Sequence, residues 1–190
     1  MILQGIAVIV ALVGVSSSRG EEKPATGRSI TICAQPAADL SFGMTEQQAR
    51  PIVSKIFANI GVAIKWCDDL LFCPADGIRI SFSSETPRNI LPRALAYALP
   101  YEGAHIVVFS DRVKAAVQPD RTPSLLAHVL AHEITHMLQG IVRHSVIGIM
   151  KAYWDESDYC QMAWKPLSFI DLDVQLIHRG TQERGVRTAQ

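Results

Sequence analysis

One stretch constrains the fold of this chain more than any other. Leu125, Leu126, Val129, Leu130, Ile134, Met137 and Leu138 recur at three- and four-residue spacing, the period of a helix with a broad apolar face. Thr122 is a good N-cap, Pro123 suits the first helical position, and Gly140 is a natural stop. The spacing predicts a helix from about 123 to 139, roughly 25 Å long. Its apolar face calls for other layers, and the rest of the pattern supplies them.

Ser29 to Ala34, Val62 to Cys67, Ile78 to Phe82 and His105 to Phe109 read as strands. Met44 to Ile60 reads as a helix, with Ala49, Ile52, Val53, Ile56, Phe57 and Ile60 at helical spacing and Gly61 as its stop. Residues 83 to 93, rich in Ser, Pro, Arg and Asn, read as a loop. Phe169 to Arg179 reads as a terminal helix and the residues from Gly180 on as a frayed tail. This order predicts an α+β domain in which a small mixed sheet carries an active-site helix.

Ile2 to Val15 is almost wholly apolar, shorter than the ~20 residues of a membrane-spanning helix, and is followed by Ser16, Ser17 and Ser18 and then by charge. That layout is a secretory signal peptide, although no lysine or arginine precedes the apolar run. Residues 1–20 are therefore expected to be the signal peptide, and 21–190 a single domain, secreted or periplasmic, with no stable membrane association after cleavage. The 18 Lys plus Arg balance the 18 Asp plus Glu, so nothing in the charge points to nucleic acid. The oligomeric state is not legible.

The four cysteines, Cys33, Cys67, Cys73 and Cys160, all lie beyond the leader, as in an exported protein. Cys67 and Cys73 flank a short loop, which predicts a Cys67–Cys73 disulfide and leaves Cys33 with Cys160. No pair has the tight spacing of a cysteine-bound zinc.

The predicted helix contains His132-Glu133-Ile134-Thr135-His136. Histidines four residues apart on a helix share one face and can bind the same ion. A glutamate beside the first is placed to act as a general base on a zinc-activated water, without being a ligand itself. Such a match arises by chance in about one chain of this length in a few hundred. Hence His132 and His136 are expected to bind Zn2+, with Glu133 catalytic. His128 has ligand spacing to His132, but Glu133 fixes the useful pair, so His128 is read as a packing or outer residue.

A catalytic zinc usually takes three protein ligands. The candidates for the third are His144, Asp155, Glu156 and Asp158. On a continued helix His144 would lie ~12 Å along the axis from His136, so it can serve only if the chain turns back at Gly140.

The run from His132 to Met150, H-E-I-T-H-M-L-Q-G-I-V-R-H-S-V-I-G-I-M, resembles the zinc site of the metzincin metallopeptidases. His132, Glu133, His136, Gly140, His144 and Met150 match the family's elements in order. Three residues stand in each gap around the glycine where that family usually has two, and Met150 follows His144 by only six. With this longer spacing the run also resembles small secreted bacterial proteins of unassigned activity. The resemblance implies a zincin-like fold, His144 as third ligand, and Met150 in a structural Met-turn under the metal. It also implies a peptide or protein substrate lying along an edge strand, here Ile106 to Phe109. The alternatives are a zinc hydrolase with Glu156 or Asp155 as third ligand, and a non-enzymatic zinc-stabilised binding protein. Retention of Glu133 argues against the latter. Tyr153, Trp66, Trp154 and Trp164 are read as packing residues, and His105 and His178 as ordinary ones.

Overall fold

A computed structural model describes residues 28–99 and 104–187; the expected signal peptide lies outside them. The element order is β1 (Arg28–Ala34), α1 (Leu40–Ala58), β2 (Val62–Cys67), β3 (Ile78–Ser83), β4 (Ala96–Leu99), β5 (His105–Phe109), α2 (Ser110–Ala116), α3 (Thr122–Gln139), α4 (Glu156–Trp164) and α5 (Asp171–Arg187). Single 3-10 turns precede β3 and α3.

The strands form one sheet in the order β2-β1-β3-β5-β4. β2, β1, β3 and β5 are parallel, and β4 runs antiparallel to β5, with Ala96 opposite Val108 and Leu99 opposite His105. The sheet is thus mixed and mostly parallel, and the fold is the expected sheet with a long helix. β4 is the edge next to β5, so Ile106 to Phe109 is an interior strand and the edge expectation is corrected. An alanine-rich A-Y-A-L segment carries little strand propensity of its own; it becomes a strand through its ladder with β5.

α3 is buried almost all round. Leu125, Leu126, Leu130 and Ile134 are at most 1% exposed, and each such side chain contributes roughly 1.5–3 kcal/mol of apolar burial. The core joins α1 (Phe42, Val53, Phe57), the strand residues Ile32, Ile78, Ile80 and Ile106, and α3. The buried Thr135 hydroxyl on α3 is satisfied within the helix, donating to the Ala131 carbonyl at 2.7 Å. The helix begins one residue earlier than expected, with Arg121 rather than Thr122 at the N-cap and no side-chain cap, because a 3-10 turn over Pro119–Arg121 leads straight into it. It ends at Gly140, which adopts φ 65°, a left-handed conformation that favours glycine.

Other boundaries also move. α1 starts at Leu40 because Asp39 caps it, accepting the Ser41 amide at 2.9 Å. α4 was not legible as a helix; Asp155 and Asp158 form a reciprocal capping box at its start. α5 continues through Gly180 to Arg187, so residues 181–187 are helix and not the frayed tail expected. A Cβ at Gly180 would stand 1.7 Å from the Leu138 carbonyl oxygen. The glycine lets α5 lie against the end of α3 rather than stopping the helix.

The disulfide joins Cys33 to Cys73, with a Cα–Cα distance of 5.8 Å, and Cys67 and Cys160 are free thiols. This overturns the Cys67–Cys73 expectation and the Cys33–Cys160 remainder. After β2 the chain makes one turn over Leu70–Phe72 and returns over β1, so Cys73 meets Cys33. The Cys67 thiol lies instead 3.2 Å from the Asp69 carbonyl.

Candidate metal centre

α3 shows one strip of its surface to a cleft of about 840 Å³. Val129, His132, Glu133 and His136 make that strip, the i, i+3, i+4, i+7 face of a helix. The segment Leu91–Ala98, which includes most of β4, forms one wall, and Lys151–Glu156 forms another, with His144 and Val142 at the mouth.

The chain reverses at Gly140 and brings His144 back to the helical pair. The ligand atoms of His132, His136 and His144 all lie within 4.8 Å of one another, the only such group of three His, Cys, Asp or Glu residues among the described residues. The ring centroids of His132 and His136 stand 5.3 and 5.1 Å from that of His144. With three residues on either side of Gly140, the loop still brings His144 to the helical pair.

The loop does more than carry His144. The His132 Nδ1 lies 2.9 Å from the Ile149 carbonyl, and the His136 Nδ1 lies 3.3 Å from the Ile141 carbonyl. Carbonyls accept, so each Nδ1 carries the hydrogen and each Nε2 is left with a lone pair. The two Nε2 atoms face one another at 3.0 Å. Lone pairs at that separation repel unless a proton or cation lies between them. Burial, with a smaller contribution from the neighbouring imidazoles, pushes the pKa of His132 down to about 3. Burial likewise pushes that of His136 down to about 4. The rings therefore stay neutral at pH 7. Two zinc-bound nitrogens in tetrahedral geometry stand roughly 3.3 Å apart, so this donor set fits a divalent zinc-sized cation. His144 is exposed, and its pKa is lowered by partial burial and by Arg143.

Glu133 lines the cleft and is only part-buried by exposure. Desolvation alone raises its carboxyl to about 8. A cation held by the adjacent imidazoles would oppose that shift.

Met150 is fully buried in a tight turn closed by the Lys151 amide on the Gly148 carbonyl at 3.2 Å. The Met150 carbonyl accepts the Ser145 amide at 2.7 Å, which ties the turn to the residue after His144. Of the acidic alternatives, Asp155 caps α4 and pairs with Lys151, and Asp158 completes the capping box and pairs with the same lysine. Glu156 lines the cleft but is outside the cluster.

His128 uses both ring nitrogens internally: Nδ1 donates to the Ser124 carbonyl at 2.7 Å and Nε2 accepts the Leu167 amide at 3.0 Å. It is a packing residue, as its spacing relative to Glu133 suggested. Trp154 packs edge-on against the rings of His132 and His128 and donates to the Gly148 carbonyl at 3.3 Å. Tyr153 is 60% exposed in the cleft wall and Trp164 is 92% exposed, so neither is the packing residue expected. His105 meets the Ser81 hydroxyl at 2.9 Å and His178 donates to the Ile60 carbonyl at 2.6 Å. Sequence reasoning missed β4, which carries no local signal because it becomes a strand through its ladder with β5.

No protein-family model matches the chain, and no curated protein matches it. Among solved structures, archaemetzincin from Methanopyrus kandleri is similar at 16% identity and a TM-score of 0.49, over 84% of this chain and 99% of that one. A likeness that distant transfers no chemistry.

Proposed function

We propose that this chain is a zinc-dependent hydrolase of peptide bonds, with His132, His136 and His144 as ligands and Glu133 as the general base. The observation that carries this reading is the convergence of three neutral imidazoles beside Glu133 in an open cleft. The motif's resemblance to the metzincins supports the same class. A bound zinc would supply Lewis acidity, acidifying water and polarising a carbonyl. The work of the protein is then positional. The Ile141 and Ile149 carbonyls hold two ligand tautomers, and the buried Met150 turn fastens the loop beneath them. Glu133 takes a proton from the attacking water and returns it to the departing amine.

The edge strand β4 supports a peptide substrate in particular. It borders the cleft, and β5 occupies only one of its sides. An extended peptide can add to such an edge by main-chain hydrogen bonds. A structural zinc site would need neither a glutamate facing the cleft nor an open wall.

Residues 1–20 are proposed as a cleaved signal peptide and 21–190 as the exported domain. The Cys33–Cys73 disulfide supports an oxidising compartment. Among the described residues no helix is long and apolar enough to cross a membrane.

The test is purified protein on a mixed peptide library, read by mass spectrometry. Cleavage that is lost to a chelator, restored by one equivalent of zinc, and reduced by orders of magnitude in Glu133→Gln with zinc content unchanged supports the reading. Zinc loss in Glu133→Gln, or cleavage indifferent to the chelator, sinks it.

A further inference from the structure

Asp173 is a buried carboxylate that the chemistry above does not use. It is 0% exposed, on the third residue of α5. An anion there is favoured by the helix dipole. A cap would bond the amides of its own helix. The partners of Asp173 are instead on the loop that carries His144. The Ser145 hydroxyl lies 3.0 Å from each of its oxygens, and the Arg143 guanidinium forms an ion pair with Oδ1. These two residues stand on either side of His144.

His144 itself is exposed, and no hydrogen bond from its ring is seen among the described residues, in contrast to His132 and His136. Holding an exposed loop imidazole on an ion costs conformational entropy of backbone and side chain, and a loop already tied down leaves less of that cost to be met on binding. The side chains of both residues flanking His144 are tied to this single carboxylate. The bond from the Ser145 amide to the Met150 carbonyl then passes the constraint to the turn whose Ile149 carbonyl orients His132.

We infer that Asp173 is a positioning residue for the metal centre, clamping Arg143 and Ser145 so that His144 is presented to the ion already held by the α3 pair. This rests on the reading of the three histidines as metal ligands. Partners that orient ligands typically command about 10- to 100-fold in metal affinity, and Asp173 acts one bond further out, on the two residues that flank His144.

The experiment is a cobalt(II) titration of the full-length mature protein, read by the ligand-field absorption of the bound ion and by the Kd. Asp173→Ala is expected to weaken binding about 10- to 100-fold and to change the visible spectrum toward that of His144→Ala. The loop-side double variant Arg143→Met/Ser145→Ala leaves α5 intact and is expected to do the same, which keeps the test available if Asp173→Ala does not fold. Ile177→Ala, a buried core change one turn along α5, is expected to lower stability while leaving Kd and spectrum as in the wild type. Wild-type Kd and spectrum in the double variant and in any folded Asp173→Ala would overturn the inference while leaving the metal centre standing. Equal spectral change in Ile177→Ala would also overturn it, reducing Asp173 to general stability. If the wild type takes up no cobalt, the metal reading falls and this inference falls with it.

Discussion

The Nδ1 of His132 lies 2.9 Å from the carbonyl oxygen of Ile149, seventeen residues further along the chain and immediately before Met150. One loop thereby orients a helical histidine at its far end, orients His136 at its near end through Ile141, and carries His144 between them. The site is a closed unit of helix plus loop, and its members should fail together.

His144 is accordingly expected to matter as much as the helical pair. His144→Ala should weaken zinc binding by more than the roughly 100-fold upper figure for outer-sphere partners. Glu156→Ala should leave affinity within about threefold, since Glu156 lies in the cleft but outside the cluster. Competition with a chromophoric chelator measures both. If Glu156→Ala strips the metal and His144→Ala does not, the acidic ligand takes the place of the imidazole.

The helical half of this unit was legible in the sequence because its information is local. Four-residue spacing, an apolar face and Gly140 all lie within α3 and its cap. Four strands and their bounds were legible for the same reason. What was not legible depends on pairing at a distance: β4 exists as a strand through β5, α5 runs past Gly180 because Leu138 needs the space, and the disulfide partner of Cys33 depends on where the chain returns after β2. Short separation favoured Cys67 with Cys73, but the direction of the return favours Cys33.

That disulfide is directly testable. Peptide mapping of unreduced protein from an oxidising compartment should recover Cys33 linked to Cys73, and alkylation before reduction should label Cys160 and Cys67. Cys160, being exposed, should label faster. A recovered Cys67–Cys73 peptide would show that the segment after β2 folds back instead of crossing to β1.

Gly180→Ala separates helix propensity from packing. Alanine is the better helix former by about 1 kcal/mol, so an unpacked α5 would be stabilised. Its Cβ, however, would meet backbone at 1.7 Å, and backbone cannot step aside as a flexible side chain can. We expect a net loss of about 2–3 kcal/mol, a fall in Tm of roughly 5–10 °C. A raised Tm would mean that α5 does not lie against the end of α3.

Acid stability should report on His128, which is four residues from the nearest proposed ligand and holds α3 to the segment before α5. Its ring is fully buried, donating to Ser124 and accepting from Leu167, an arrangement only the neutral form can make. Burial is the main cause that lowers its pKa from 6.5 to about 4. The sign follows from proton binding. Above pH 6.5 the residue is neutral both folded and unfolded, and its contribution is fully present. Between 6.5 and about 4 the unfolded chain takes up a proton that the folded one refuses, so stability falls with pH. Below about 4 both are protonated and the loss levels off. The span corresponds to roughly 3 kcal/mol. Other buried histidines titrate nearby, so the useful quantity is a difference, measured by urea denaturation with chelator present throughout. At pH 7.5, His128→Gln should be about 2–3 kcal/mol less stable than the wild type, for two buried hydrogen bonds and imperfect packing. By pH 4.5 that gap should have closed by most of its value, because glutamine has no proton to gain. A gap that stays constant across this range would mean that His128 does not depend on its neutral form, and that the bond from the Leu167 amide to its Nε2 is not what joins α3 to that segment.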